Sequence, residues 1–250
     1  MIRIIALREL KSLFLSPLAW VILAVLQAIM AWVFLIQLDQ FLLIQPQLLR
    51  MDGAPGATDI IIVPLFNLLG ILLLLVMPLI TMRLISEEHR NKTLALLLSS
   101  PLSSASIVLG KFLAVLAFGA MTIALLILMG LSLYAGTQPD IGQIAAAAIG
   151  LLLMISAFIA VGLYISALTR HPTVAAVATF GALFMLWIVH WSGEAQENAA
   201  EILAWLSIIK HQQSFQSGLL NSGDISYYLI LTGLFLLLGI RRLDAERLQG

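Results

Sequence analysis

The chain of 250 residues has no cysteine, only four histidines, and 13 residues of each charge sign. Without cysteine there is no disulfide framework and no thiolate metal site. The histidines, His89, His171, His190 and His211, stand singly. No HExxH or GxSxG pattern assembles a nucleophile, a base or a metal set. Gly110-Lys111 matches the end of a phosphate loop, but Ala105 stands where its first glycine belongs and Phe112 where Ser or Thr does. The chain is therefore expected to bind no cofactor, no metal and no ATP of its own. A net charge of zero leaves no concentrated basic face for nucleic acid. Low-complexity tracts and short repeats are absent.

What is abundant is apolar surface. With 61% apolar residues, 10% charged residues and a mean hydropathy of +1.06, the chain cannot coat a soluble globule. Its solvent is lipid. Six apolar runs are expected to be transmembrane helices: residues 18–38, 60–82, 112–135, 144–168, 173–191 and 225–240. About 20 residues are needed to cross ~30 Å of hydrocarbon at 1.5 Å per residue, so the last run is short and needs thinning or polar ends at the interface. Tyr227 and Tyr228 are expected to be aromatic anchors there. The fold class is an all-α polytopic membrane protein, with residues 1–250 as one transmembrane domain.

Basic residues set the orientation, because Lys and Arg near a span stay on the cytoplasmic side. With the N-terminus inside, Arg3, Arg8, Lys11, Arg83, Arg90, Lys92, Lys111, Arg170, Arg241, Arg242 and Arg247 are cytoplasmic, and only Arg50 and Lys210 lie outside. Both termini are thus expected inside. Residues 1–16 read as an interfacial helix with an Ile2, Ala6, Leu10, Leu13 stripe, turned into the membrane at Pro17. The alternative is a disordered basic leader.

Residues 83–111 form a charged loop between two apolar spans. Arg83 with Glu87, and Glu87 with Arg90, are spaced to pair along one helical face and carry the second span past the membrane surface, with Pro78 and Arg83 as its hinge. The short apolar run Thr93 to Leu98 follows, broken by Ser99-Ser100-Pro101. Ser103 or Ser104 can then cap a new helix through Gly110 and Lys111. An apolar knob bracketed by charge suits a groove on a partner protein. Folding back of Leu94, Leu97 and Leu98 onto the bundle is the other reading.

Residues 86–112, SEEHRNKTLALLLSSPLSSASIVLGKF, resemble the cytoplasmic loop of ABC-2 type transporter permeases. Glu87, Glu88, Arg90, Thr93, Leu94, Leu97, Leu98, Pro101, Gly110 and Lys111 match that family's pattern. Lys92 departs from it, standing where a small residue, often Gly, is usual. Residues 206–228 are similar, more loosely, to the segment before the last span in the gliding-motility-associated branch. The resemblance implies a type V exporter-like fold and a coupling helix in residues 83–111 that docks on a separate ABC ATPase subunit, which holds ATP and Mg. It also implies a second copy of the chain or a related permease, and half-inserted helices in residues 192–222. An auxiliary envelope protein is a further implied partner, and membrane lipid surrounds the whole.

Residues 192–222 also read independently as re-entrant or surface-lying helices, or as an outer loop with one amphipathic helix. No charge is expected at the membrane centre, and the polar groups there are mild. Asn67 is the most noticeable, as a helix-to-helix hydrogen bonder or a contact on the substrate path. Gly162 with Ser166, and Ala146 with Gly150, permit close helix approach. The sum points to the permease subunit of an ATP-driven transporter in a bacterial inner membrane, probing toward export of a hydrophobic or lipid-linked substrate. The alternatives are an ATPase-linked mechanical component of an envelope machine and, with less support, a secondary carrier.

Overall fold

The structure, a computed structural model, describes residues 1–48, 50, 55–93, 102–192 and 205–249, and all regular elements among them are helices. The chain starts with α1 (Ile2–Leu15) and, after a turn at Ser16, α2 (Pro17–Leu48). A π-helical turn (Thr58–Ile62) leads into α3 (Val63–Thr81), followed by the short α4 (Ser86–Arg90). Next come α5 (Ser104–Ser132), α6 (Ile141–Leu168) and α7 (Pro172–Ser192). Last are the short α8 (Ile208–Gln216) and α9 (Ser222–Gln249). Six stretches are long and apolar enough to cross a membrane, one for each expected span.

α6 is the axis of the bundle. In its most apolar stretch 67% of residues are buried, against 22% in α7 and 28% in α2 and α9. In lipid, apolar side chains gain little by leaving the solvent, so helices associate where small residues let backbones approach. α6 supplies these at each level. A Cβ on Gly150 would lie 2.5 Å from the Phe215 side chain of α8, and one on Gly162 would overlap Thr81 Oγ1 of α3. The outward faces, with Trp20, Val25 and Trp32 on α2 and Val177 and Met185 on α7, are apolar and exposed, as surfaces in lipid are.

Several boundaries differ from the sequence expectation. α2 continues through Asp39 to Leu48, since beyond about 22 residues the hydrocarbon is already crossed and a charge no longer ends the helix. The third span begins at Ser104, not at 112: Ser103 caps it, with Oγ accepting from Ser106 N at 3.2 Å. Residues 104–111 are thus its first two turns and not loop. α9 runs 28 residues, about 42 Å, and continues beyond the apolar run at both ends, where its charges find partners. Tyr227 and Tyr228 are buried in protein, not set at a lipid interface, and their hydroxyls donate to Leu206 O (2.7 Å) and Ile208 O (3.1 Å).

The expected unbroken stem from the second span is also corrected: α3 ends at Thr81, and Met82–Ile85 is a turn. Ser166 of α6 makes that break. Its Oγ accepts from Ile85 N and Ser86 N, each at 3.1 Å, and donates to Met82 O at 3.1 Å. Contacts of α1 with α5 and of α4 with α9 bring both termini to one end of the bundle, here the near end; α8 lies at the far end.

Gly162→Ala is expected to lower stability by about 1–3 kcal/mol through overpacking against Thr81. Gly181→Ala, where a Cβ meets nothing within 4 Å, is the neutral control. Thermal unfolding in detergent reads the difference, and equal midpoints would contradict the close approach.

Candidate functional site

At the near end, Lys111 lies two turns into α5 with its side chain only 3% exposed. Its Nζ is 2.8 Å from Glu88 Oε1 of α4 and 3.3 Å from Glu9 Oε1 of α1. An unpaired ammonium at this burial would cost several kcal/mol, so these carboxylates are what permits it. Arg8, 3.0 Å from Glu9, balances the second carboxylate, and the chain Arg8, Glu9, Lys111, Glu88 sums to zero. Gly110 completes the arrangement. A Cβ there would lie 2.6 Å from Ile5 Cγ2, so only glycine lets α1 lie close enough for Glu9 to reach Lys111.

α4 carries Glu87 and Glu88 in its first turn and His89 and Arg90 in its last, the order that suits a helix dipole. Arg90 lies 3.8 Å from Glu87, but both are well exposed and the pair contributes little. The expected Arg83–Glu87 pair does not form. The turn at Met82–Ile85 removes the helical register it needs, and Arg83 is exposed without an ion pair or hydrogen bond among the described residues. Pro78 is buried inside α3, four residues before the break.

α4 closes with a left-handed residue. Lys92 has φ +56°, Lys92 N donates to His89 O at 3.2 Å, and Thr93 N donates to Glu88 O at 3.0 Å. This is the Schellman pattern, whose left-handed position favours glycine. The small residue usual at this place in the resembling family thus has a conformational reason. Thr93 Oγ1 also reaches Glu88 O, at 3.4 Å. Leu94, Leu97, Leu98 and Pro101 lie outside the described residues.

Both ends of the 94–101 segment are held by α9. His89 Nε2 sits 3.1 Å from Glu246 Oε2, Arg242 is 3.2 Å from Glu246 Oε1, and Arg247 Nη1 donates to Leu102 O at 3.0 Å. The sequence had marked Arg242 and Arg247 only as topology signals, and Glu246 not at all. The Arg242–Glu246 spacing of four was the available sign.

The far end has its own polar cluster. His211 Nδ1 lies 2.5 Å from Asp224 Oδ1 and Nε2 lies 2.8 Å from Trp205 O, so both ring nitrogens face acceptors. Tyr227 stacks on the ring at 4.1 Å between centroids. The cluster fastens α8 to α9 and turns both tyrosines inward. Gly218, at φ +78°, makes the turn between the two helices. Asn67 Oδ1 accepts from Gln216 Nε2 at 2.8 Å, which joins α3 to α8. Gln143 Nε2 extends the network to Asp59 Oδ1 (2.7 Å) and Gln216 O (2.9 Å). No group of three or more side chains able to hold a metal ion occurs among the described residues.

Lys92→Gly is expected to hold or raise stability, by about 1 kcal/mol at most, while Lys92→Val lowers it, because a β-branched side chain resists positive φ. Thermal denaturation of the two variants checks this. A destabilised Gly variant beside a neutral Val variant would contradict the closing geometry.

The near-end node joins α1, α4, α5 and α9 through Glu9, Glu88, Lys111, His89 and Glu246. Through these pairs α4 is tied to three other helices. A scan against protein-family models matches residues 3–244 to the ABC-2 family transporter protein model, without distinguishing a branch within it. No curated protein matches significantly. With six apolar spans and a family match over nearly its whole length, the chain belongs to the ABC-2 family of transporters, as a multi-pass membrane permease subunit.

Proposed function

We propose that the chain is the permease half of an ATP-driven exporter of a hydrophobic or lipid-linked substrate, in a bacterial inner membrane with the near end cytoplasmic. Family membership brings an ABC ATPase partner and a paired arrangement of permeases. The ATPase, carrying ATP and Mg, grips residues 94–101; Glu87, Glu88, Arg90 and Thr93 present that segment. The basic residues on the near end support the orientation. Mild polar groups along the spans, with Asn67 bonded within the protein, favour a weakly polar cargo over a free ion.

The observation that carries the mechanism is Lys111 bridging Glu88 and Glu9. A rigid rod along α3 is not available, because the chain turns at Met82–Ile85. Motion of α4 passes instead by three routes. Glu88 pulls Lys111 and thus α5 and α1. His89 bears on Glu246 and thus α9. The Ser166 bonds carry the turn's displacement into α6.

Lys111→Met is expected to leave ATPase co-purification intact while permease-dependent ATP hydrolysis in vesicles falls by about tenfold, within the 1–3 kcal/mol usual for coupling between sites. Full permease-dependent hydrolysis in a stably folded Lys111→Met complex would sink this route.

A further inference from the structure

The apolar run of α9 stops at Ile240, yet the helix continues to Gln249. Leu243 in that extension is wholly buried, and Glu246 and Arg247 follow it at three and four residues, so the three lie on one helical face. That face meets both segments bordering residues 94–101. On one side Glu246 Oε2 lies 3.1 Å from His89 Nε2 of α4, with exposures of only 17% and 14%. On the other, Arg247 Nη1 donates to Leu102 O at 3.0 Å, just before the Ser103 cap of α5. Arg242, one turn earlier, lies 3.2 Å from Glu246 Oε1 and steadies the carboxylate.

α4 depends on being held. Its five residues are too few for a helix that stands alone, and the turn at Met82–Ile85 separates it from α3. Glu88 and His89 are consecutive and so point about 100° apart on the helix. α4 is therefore gripped from two directions, by Lys111 of α5 and by Glu246 of α9. α9 is a firm base for this, because it packs along α6, the most buried span. Adjacent residues of α9 thus fix two points of the chain, His89 and Leu102, on either side of the segment. Bringing the ends of a chain segment together costs conformational entropy. A fold that already holds both ends leaves less to order when a partner binds.

We propose that the turn of α9 from Leu243 to Arg247 is a clasp that positions the ATPase-docking segment, with Glu246 holding its entry and Arg247 its exit. Both are positioning residues, which act on the partner through the segment and need not touch it. The proposal rests on the reading that the ATPase grips residues 94–101, and adds to it that recognition depends on the charged end of the last span.

The test titrates the ATPase subunit that co-purifies with the chain onto the full-length permease in lipid nanodiscs and reads the apparent Kd. Arg247→Ala and Glu246→Ala, in chains of parental melting temperature, are expected to weaken binding by about tenfold. Arg247→Lys, which keeps an N–H donor, should retain the parental affinity, and Arg241→Ala, which removes an exposed like charge from another face of α9, should be neutral. Spin labels at two exposed positions, Arg90→Cys and Leu248→Cys, read the clasp without the ATPase: one narrow distance is expected, broadened by Glu246→Ala. Leu97→Glu separates the two claims, since it alters the docking segment itself and should abolish binding. Parental binding by Leu97→Glu would remove the docking reading, and the clasp's role with it. Loss of binding in Leu97→Glu beside parental affinity in folded Arg247→Ala and Glu246→Ala chains, or a label distance unchanged by Glu246→Ala, would overturn the clasp and leave the docking reading standing.

Discussion

A buried ammonium must be surrounded by acceptors, and Lys111 draws its two from segments that both precede it and lie far apart in the sequence: Glu9 of α1 and Glu88 of α4. That requirement brings α1 and α4 onto α5 together. It also explains Gly110, since α1 can come no nearer if a Cβ stands there. In water such a triad would be weakly stabilising, because exposed ions gain little by pairing. At 3% exposure the pairing becomes obligatory, and losing any member leaves a charge stranded. Mechanical continuity between the loop and the bundle follows from that obligation.

The rest of the bundle answers a different constraint. Lipid offers apolar helices no hydrophobic reason to associate, so contact is concentrated where α6 is small or polar. Gly150 admits Phe215, Gly162 admits Thr81, and Ser166 caps the turn at Met82–Ile85. The near end and the far end are thus both registered on one helix. At the far end, the His211–Asp224 contact and the Asn67–Gln216 bond do for α8 what Lys111 does for α1.

Much of this was legible in the sequence, and the failures share one cause. The six apolar spans, a helix before Pro17 and the Ser103 cap follow from local pattern. Glu9 lies on the same helical stripe as Ile2, Ala6 and Leu13, yet a carboxylate on an inward stripe has meaning only once Lys111 is placed. The Arg83, Glu87, Arg90 spacing fits an unbroken helix; the break is imposed by Ser166, some 80 positions away. The length of α9 was hidden because hydropathy stops at charges, whereas a helix continues when Asp224 and Glu246 meet His211 and His89. Tyr227 and Tyr228 have the composition of a membrane-interface belt, and it is His211 and the carbonyls of α8 that turn them inward. In each case a local rule was overridden by a partner distant in sequence.

The absence of cysteine makes a direct test of the central claim practical. Spin labels placed at two exposed positions, Leu7→Cys on α1 and Arg90→Cys on α4, report the distance across the node in lipid nanodiscs. If Lys111 holds the two helices together, that distance is a single narrow distribution and becomes broad or multiple in Lys111→Met. An unchanged narrow distribution in the Met variant would contradict the account.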